Sequence, residues 1–183
     1  MSQITQFDVK GPVLLKLNKY SDSRGFFTER YKDEYKKILG IETSFIQDNF
    51  SRSVKNVVRG LHMQHSPGQG KIVTCLNGEI LDVIVDVRKN SPTYGKHISV
   101  SLKGDEPALF WVPGGFAHGF SVQSDVADVL YKVDCLYNAK NELSIKWNDA
   151  DLGIDWKVST AIVSDKDNAS ASFETYFEKP AFF

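Results

Sequence analysis

Short apolar runs at regular spacing, Gly and Pro turns between them, and only one clear helical segment together predict an all-β sandwich or barrel for this 183-residue chain. Residues 13–17 read as a strand, Asp22-Ser23-Arg24-Gly25 as a turn and 26–30 as the next strand. Residues 33–39 form the helix candidate, with an acid at the start, Lys36-Lys37 near the end and Gly40 placed to cap it. Residues 45–50 are expected to be extended. Two runs rich in Val, Ile and Leu follow at 71–76 and 79–87, joined by Asn77-Gly78, a dipeptide suited to a two-residue hairpin. After the turn Ser91-Pro92-Thr93-Tyr94-Gly95, strands are expected at 98–102 and 108–112, near Phe120, and at 128–133 and 145–147. Pro113-Gly114-Gly115 is a further turn. No repeat, linker or low-complexity block divides the chain, so 1–183 reads as a single domain. Residues after Asp167 read as loosely ordered, although Phe173, Tyr176, Phe177 and Phe182-Phe183 call for a surface to pack on.

In a hairpin at Asn77-Gly78, Lys71, Val73 and Cys75 share a face with Ile80, Asp82, Ile84 and Asp86, because side chains alternate along a strand. The opposite face, with Ile72, Leu81, Val83, Val85 and Val87, is too apolar to meet water. Both faces are therefore expected to be covered, by a second sheet or by a second subunit. Lys71 can be a site residue or the structural partner of Asp82 or Asp86.

Twenty-two basic and 23 acidic residues give a formal charge of −1, which offers no electrostatic footprint for nucleic acid or an anionic membrane. Any bound anion needs a local site. Cys75 and Cys135, far apart and without metal or redox spacing, read as buried thiols of a reducing compartment. No apolar run approaches the roughly 20 residues of a membrane span, and the first residues lack the regions of a signal peptide, so a cytoplasmic protein is expected.

The chemistry concentrates in Arg59-Gly60-Leu61-His62-Met63-Gln64-His65 and the following Lys71, which bring a guanidinium, imidazoles and an ammonium together. Such a set suits an anionic substrate that carries a carbonyl. His62, His65 and His118, with Pro113-Gly114-Gly115-Phe116-Ala117-His118, resemble the motifs of the cupin jelly roll, and the resemblance implies a barrel or sandwich with one or two short peripheral helices. Metal-binding cupins carry a glutamate where this chain has Lys71, and a protonated ammonium has no lone pair for a metal. A fixed cation keeps one function of a metal, the stabilisation of an oxyanion, so no metal is expected.

Ordered blocks extend the pattern along nearly the whole chain: Asp22 to Glu29, Gln47-Asp48-Asn49, Arg59-Gly60-Leu61-His62, Ser91 to Gly95, Pro113 to Phe120, Tyr131-Lys132, Trp147-Asn148-Asp149 and Ser164-Asp165-Lys166-Asp167. In these blocks the chain resembles the dTDP-4-dehydrorhamnose 3,5-epimerases, cupin-fold enzymes of dTDP-L-rhamnose synthesis. The resemblance implies a metal-free and cofactor-free epimerisation at C3 and C5 of a dTDP-linked 4-keto-6-deoxy sugar, in a homodimer. His62 would remove the proton, Asp167 would orient its ring, Lys71 would hold the O4 oxyanion and Tyr131 would return a proton from the other face. Arg24 and Arg59 would meet the diphosphate. An aromatic near Tyr137 would stack on thymine. Glu29, Gln47, Asp48, Asn49, His118, Glu142 and Lys166 match other substrate-contacting positions.

Without the resemblance, Tyr131 in Leu130-Tyr131-Lys132 reads as core, Asp167 as a solvated charge, and His118 as a satisfied strand histidine. The chain departs from the family at Met63, where Tyr or Phe is usual, and in its short loop before Lys71. The alternatives are an epimerase of one centre on a related nucleotide 4-keto sugar, a non-catalytic sugar-nucleotide binding module and a metal-dependent cupin oxygenase. Retention of Tyr131 favours inversion at both centres.

Overall fold

The computed structural model describes residues 3–183. Thirteen strands and three short helices follow one another as β1 (Gln3–Gln6), β2 (Val13–Lys16), β3 (Tyr20–Asp22), β4 (Gly25–Phe27), α1 (Glu34–Leu39), β5 (Gln47–Val54), β6 (Val58–Gln64) and β7 (Lys71–Asn77). The second half comprises β8 (Glu79–Asp86), β9 (His97–Lys103), β10 (Ala108–Val112), β11 (Phe116–Val122), β12 (Val126–Val133), β13 (Glu142–Ser144), α2 (Asp165–Asn168) and α3 (Phe173–Glu178). Six strands in the order β1-β2-β10-β7-β12-β5 face five in the order β13-β6-β11-β8-β9, and β3-β4 form a separate hairpin. The sheets form an open sandwich of jelly-roll type rather than a closed barrel.

The apolar residues of the two inner faces meet in one cluster that includes Val73, Cys75, Ile80, Ile84, Phe110, Phe120 and Val129. Each such side chain stabilises the fold by about 1.5–3 kcal/mol when fully buried. Ile72 and Leu109, on the outer face of the six-stranded sheet, pack with Tyr35 and Leu39 of α1. Outside the five-stranded sheet, Val83, Val85 and Val87 lie under a layer that includes Trp156 and Tyr176. The double covering expected for the 71–87 segment is thus supplied by the chain itself.

The Asn77-Gly78 hairpin does not form. β7 pairs with β10 and β12, and β8 with β11 and β9, so the chain turns a corner between sheets. Gly78 has φ +75°, and a Cβ there would lie 2.1 Å from the Val126 carbonyl oxygen. Two strands that are apolar on both faces are satisfied in the centres of separate sheets, where each has two neighbours. Val73 and Cys75 therefore do not share a sheet face with Ile80 and Ile84; the two sets meet across the core from separate sheets. Asp86, at the end of the same side of β8 and abreast of Phe116, is buried and engaged by Arg88, Ser91 and Thr93.

Three other expectations change. The strand anticipated at 145–147 is Glu142–Ser144, and Ile145 makes an isolated bridge to Ala171. The tail after Asp167 is ordered, with α3 capped by Ser172 and the buried Tyr176 hydroxyl donating to the Val87 carbonyl at 3.1 Å. It adds helices to the one or two anticipated. Cys135 lies beyond the end of β12 and is only half-buried, whereas Cys75 is buried and its thiol is pushed up to about 11 by desolvation.

Candidate active site

A cavity of about 260 Å³ opens at one end of the sandwich, lined by inward-facing polar residues of both sheets. Gln47 and Asn49 of β5, Tyr131 of β12 and Lys71 of β7 belong to one sheet. His62 and Gln64 of β6 and Glu142 of β13 belong to the other, and Tyr137 comes from the loop between β12 and β13. Register explains the grouping, because Tyr131 stands beside Asn49 and Val73, and Glu142 beside Gln64.

His62 Nε2 donates to Asp167 Oδ1 at 2.6 Å, and the other carboxylate oxygen accepts from the Gly60 N–H at 3.2 Å. Asp167 is only 2 % exposed, held in α2 by its N–H bond to the Ser164 hydroxyl, which caps the helix. Desolvation pushes this carboxyl upward, but the His62 hydrogen bond and charge, the Gly60 N–H and Ser164 outweigh it and hold it below its ordinary value. Gly60 has φ +125°, and a Cβ there would lie 2.6 Å from the Gly119 Cα, so only glycine fits the crossing that presents its N–H to Asp167.

Lys71 is 7 % exposed, and its ammonium makes a long 3.5 Å contact with the His62 carbonyl across the sandwich. Burial pulls it down to about 8, against the opposing fields of Asp82, Glu142 and Cys135. It is therefore mostly charged at neutral pH and has few competing partners. Burial raises Tyr131, with Arg59 acting in the opposite sense. At the mouth, Glu142 Oε2 accepts from Tyr137 Oη at 2.7 Å and Lys166 Nζ at 2.6 Å.

Other expected residues lie around or away from the cavity. His118, abreast of His62 and buried, donates from Nε2 to both oxygens of the fully buried Asp82 at 3.0 and 2.9 Å. Arg59 Nε donates to Ser53 Oγ at 3.0 Å. Asp48 points to the opposite side of β5 from Gln47 and Asn49 and pairs with Lys132 at 2.8 Å. Arg24, on the exposed β3-β4 hairpin, pairs with Asp22, and Glu29 pairs with Lys32. His65 turns to its neighbour Ser66 rather than joining His62. Among the described residues, no three His, Cys, Asp or Glu side chains converge as a metal site.

Sequence reasoning missed Gln64, Gln69, Asp82 as the partner of His118, and the Gly60 and Ser164 contacts to Asp167. Alternation from His62 places Gln64 on the same face of β6, so that residue was within reach; Gln69 in a loop had no such signal. Met63 packs with Leu61 and Leu143 in the outer cluster and also borders the cavity, so its departure from an aromatic touches both.

The fold and site define a jelly-roll protein of the cupin type whose paired sheets bring a carboxylate-held imidazole, a buried ammonium and a phenol to one cleft. The chain belongs to the dTDP-4-dehydrorhamnose 3,5-epimerase family, whose model matches residues 6–175, and it is accordingly an isomerase. It is 45 % identical over 150 residues to the dTDP-4-dehydrorhamnose 3,5-epimerase of Shigella flexneri, covering 81 % of this chain and 83 % of that one. A dTDP-6-deoxy-D-glucose-3,5-epimerase from Legionella pneumophila, solved with dTDP-4-keto-L-rhamnose, has a TM-score of 0.95 and 40 % identity, covering 100 % of this chain and 99 % of the other. A 3'-monoepimerase from Streptomyces bikiniensis, solved with dTDP-quinovose, has a TM-score of 0.88 and 28 % identity, covering 94 % and 88 %.

Proposed function

We propose that the protein, as a cytoplasmic homodimer of single domains, inverts C3 and C5 of dTDP-4-dehydro-6-deoxy-D-glucose to give dTDP-4-dehydro-L-rhamnose. The observation that carries this is the placement of His62 and Tyr131 on opposite sheets, across the cleft into which Lys71 projects. The ketone at C4 acidifies the C–H bonds at C3 and C5, because either carbanion delocalises into an enolate. His62 removes the proton, and Asp167 holds the ring and stabilises the imidazolium. Lys71 meets the developing O4 oxyanion with a charge already desolvated, so little reorganisation is needed. Tyr131 returns a proton from the other wall, which inverts the centre. The reaction needs no cofactor or metal for this exchange. His118 and Arg59 contact the sugar and diphosphate from the cleft margin, with Gln47, Asn49, Tyr137, Glu142 and Lys166 along the nucleotide path.

Arg24 and Glu29 serve the partner's cleft, and Asp48 flanks the same junction. This is supported by the exposure of the β3-β4 hairpin with Tyr20, Phe26 and Phe27, and by the apolar Phe50 and Val54 on the edge strand β5 with Ile46 just before it. Such a patch suits a second copy.

Proton NMR of the nucleotide 4-keto sugar in D₂O tests the chemistry. The expected result is loss of both the C3 and C5 proton signals. Exchange at one carbon assigns a single-centre epimerase, and binding without exchange assigns a sugar-nucleotide binding module; either outcome overturns the double inversion.

A further inference from the structure

We infer that Gln64 is a positioning residue for the nucleotide end of the substrate, gripping the chain on both sides of Tyr137 and so fixing that ring at the cleft mouth. The assignment rests on the function proposed above. Gln64 is 4 % exposed and sits two residues from His62 on the same face of β6. Its Nε2 donates to the Leu136 carbonyl at 3.1 Å and to Cys135 Sγ at 3.3 Å, and its Oε1 accepts from the Asn138 N–H at 2.8 Å. Gln69 Nε2 adds a bond to the Cys135 carbonyl at 3.0 Å.

Within the loop the Asn141 N–H closes a turn on the Asn138 carbonyl, and backbone bonds from the loop to the 62–71 segment lie at its ends. Asp134 N–H donates to the Gly70 carbonyl, and the Asn141 carbonyl accepts from the His65 N–H. Between these anchors, the backbone around Tyr137 is tied to the 62–71 segment by the two glutamines. Tyr137 is 56 % exposed and presents an aromatic face beside the cavity, with its hydroxyl tethered to Glu142. A flat, solvent-facing ring beside an otherwise polar cleft suits a planar base, since stacking needs area and fixed orientation. A primary amide is fitted to the grip because one side chain supplies both the donors and the acceptor that the loop presents. The strand that carries the base His62 therefore also sets the platform for the distal end of the substrate.

The test is a double-mutant cycle with Gln64→Met, which keeps volume and loses the hydrogen bonds, and Tyr137→Ala. Turnover of the nucleotide 4-keto sugar and inhibition by dTDP are measured for both single variants and the pair. Gln64→Met is expected to raise KM and the dTDP inhibition constant about tenfold, a loss that one or two buried hydrogen bonds account for. Its kcat at saturation falls by less than about threefold, since uniform binding rather than transition-state contact is removed. In the pair, Tyr137→Ala adds little further, because the ring is already released. Additive losses, or a fall in kcat at unchanged KM, overturn the assignment. Should Gln64→Met fail to fold, the same cycle with Gln69→Met gives a smaller effect of the same form, and additivity there is equally fatal. Failure of the wild-type protein to exchange protons overturns the proposed function itself, and this assignment with it.

Discussion

An ammonium buried in a sandwich interior opposes folding wherever it is charged. For Lys71, desolvation lowers the pKa from 10.5 to about 8, a difference worth on the order of 3 kcal/mol. The unfolded chain holds this proton up to its ordinary value and the folded one releases it near 8, so this contribution makes stability rise with pH between the two. Lys71→Met is therefore expected to be more stable than wild type at pH 7 by up to about 3 kcal/mol in denaturant titration. The same variant loses turnover by about 10²- to 10³-fold, the loss of an oxyanion donor. In the wild-type protein, kcat/KM should decline as pH rises through about 8, where the free enzyme loses the ammonium. A profile flat to pH 10 would place the oxyanion contact elsewhere.

His62 and Lys71 were legible because Arg59-Gly60-Leu61-His62 and the later Lys71 form an unusual local set. Tyr131 sits in an apolar run, and Asp167 lies 105 residues from the histidine it holds. No local pattern links those positions, so only the resemblance singled them out. Asp82 was weighed as a partner of Lys71, but its hydrogen bonds to His118 depend on a diagonal between β8 and β11 that spacing alone does not reveal.

Strand positions could be read from alternation, whereas strand partners could not. The segments at 71–77 and 79–86 were located to within a residue or two, yet a turn dipeptide is compatible with both a hairpin and a corner between sheets. Pairing is decided by distant segments, here β10 and β12 for one and β11 and β9 for the other. The tail helices did carry a local signal, since Ser164 and Ser172 each accept from the N–H three residues on. The turn Ser91 to Gly95 is scaffold. Asp86, fully buried at the end of β8, accepts from Arg88 at 2.9 and 2.7 Å and from the Ser91 and Thr93 hydroxyls at 2.6 Å. Desolvation pushes its carboxyl up, but these donors prevail and hold it at about 2. Its stabilising contribution is thus present above the ordinary carboxylate value near 4 and disappears as pH falls through about 2. Asp86→Ala should lose about 3–5 kcal/mol in thermal or denaturant unfolding, because it strands Arg88 and two hydroxyls. A loss under about 1 kcal/mol would show that the turn folds without its anchor.

At the scale of the whole molecule, the proposed exchange of Arg24 between subunits makes a quantitative prediction. Sedimentation should give twice the 20.6 kDa chain mass. His62→Ala and Arg24→Ala variants, each nearly inactive alone, should recover about a quarter of wild-type turnover when mixed one to one and allowed to exchange, as random two-fold pairing requires. Mixtures that stay inactive would place Arg24 outside the partner's site.

The corner at Asn77-Gly78 lies a full strand from Lys71, roughly 20 Å at the rise of an extended chain. The cleft is thus the open mouth of two plates joined at their far end, with the apolar filling as the spacer. Val73 stands abreast of Tyr131, and Ile84 abreast of His118. A methylene gained or lost at either place alters the jaw width while leaving every acid and base in the sequence unchanged. The separation of the two walls, and with it of the groups they carry, is therefore set by apolar residues of the core.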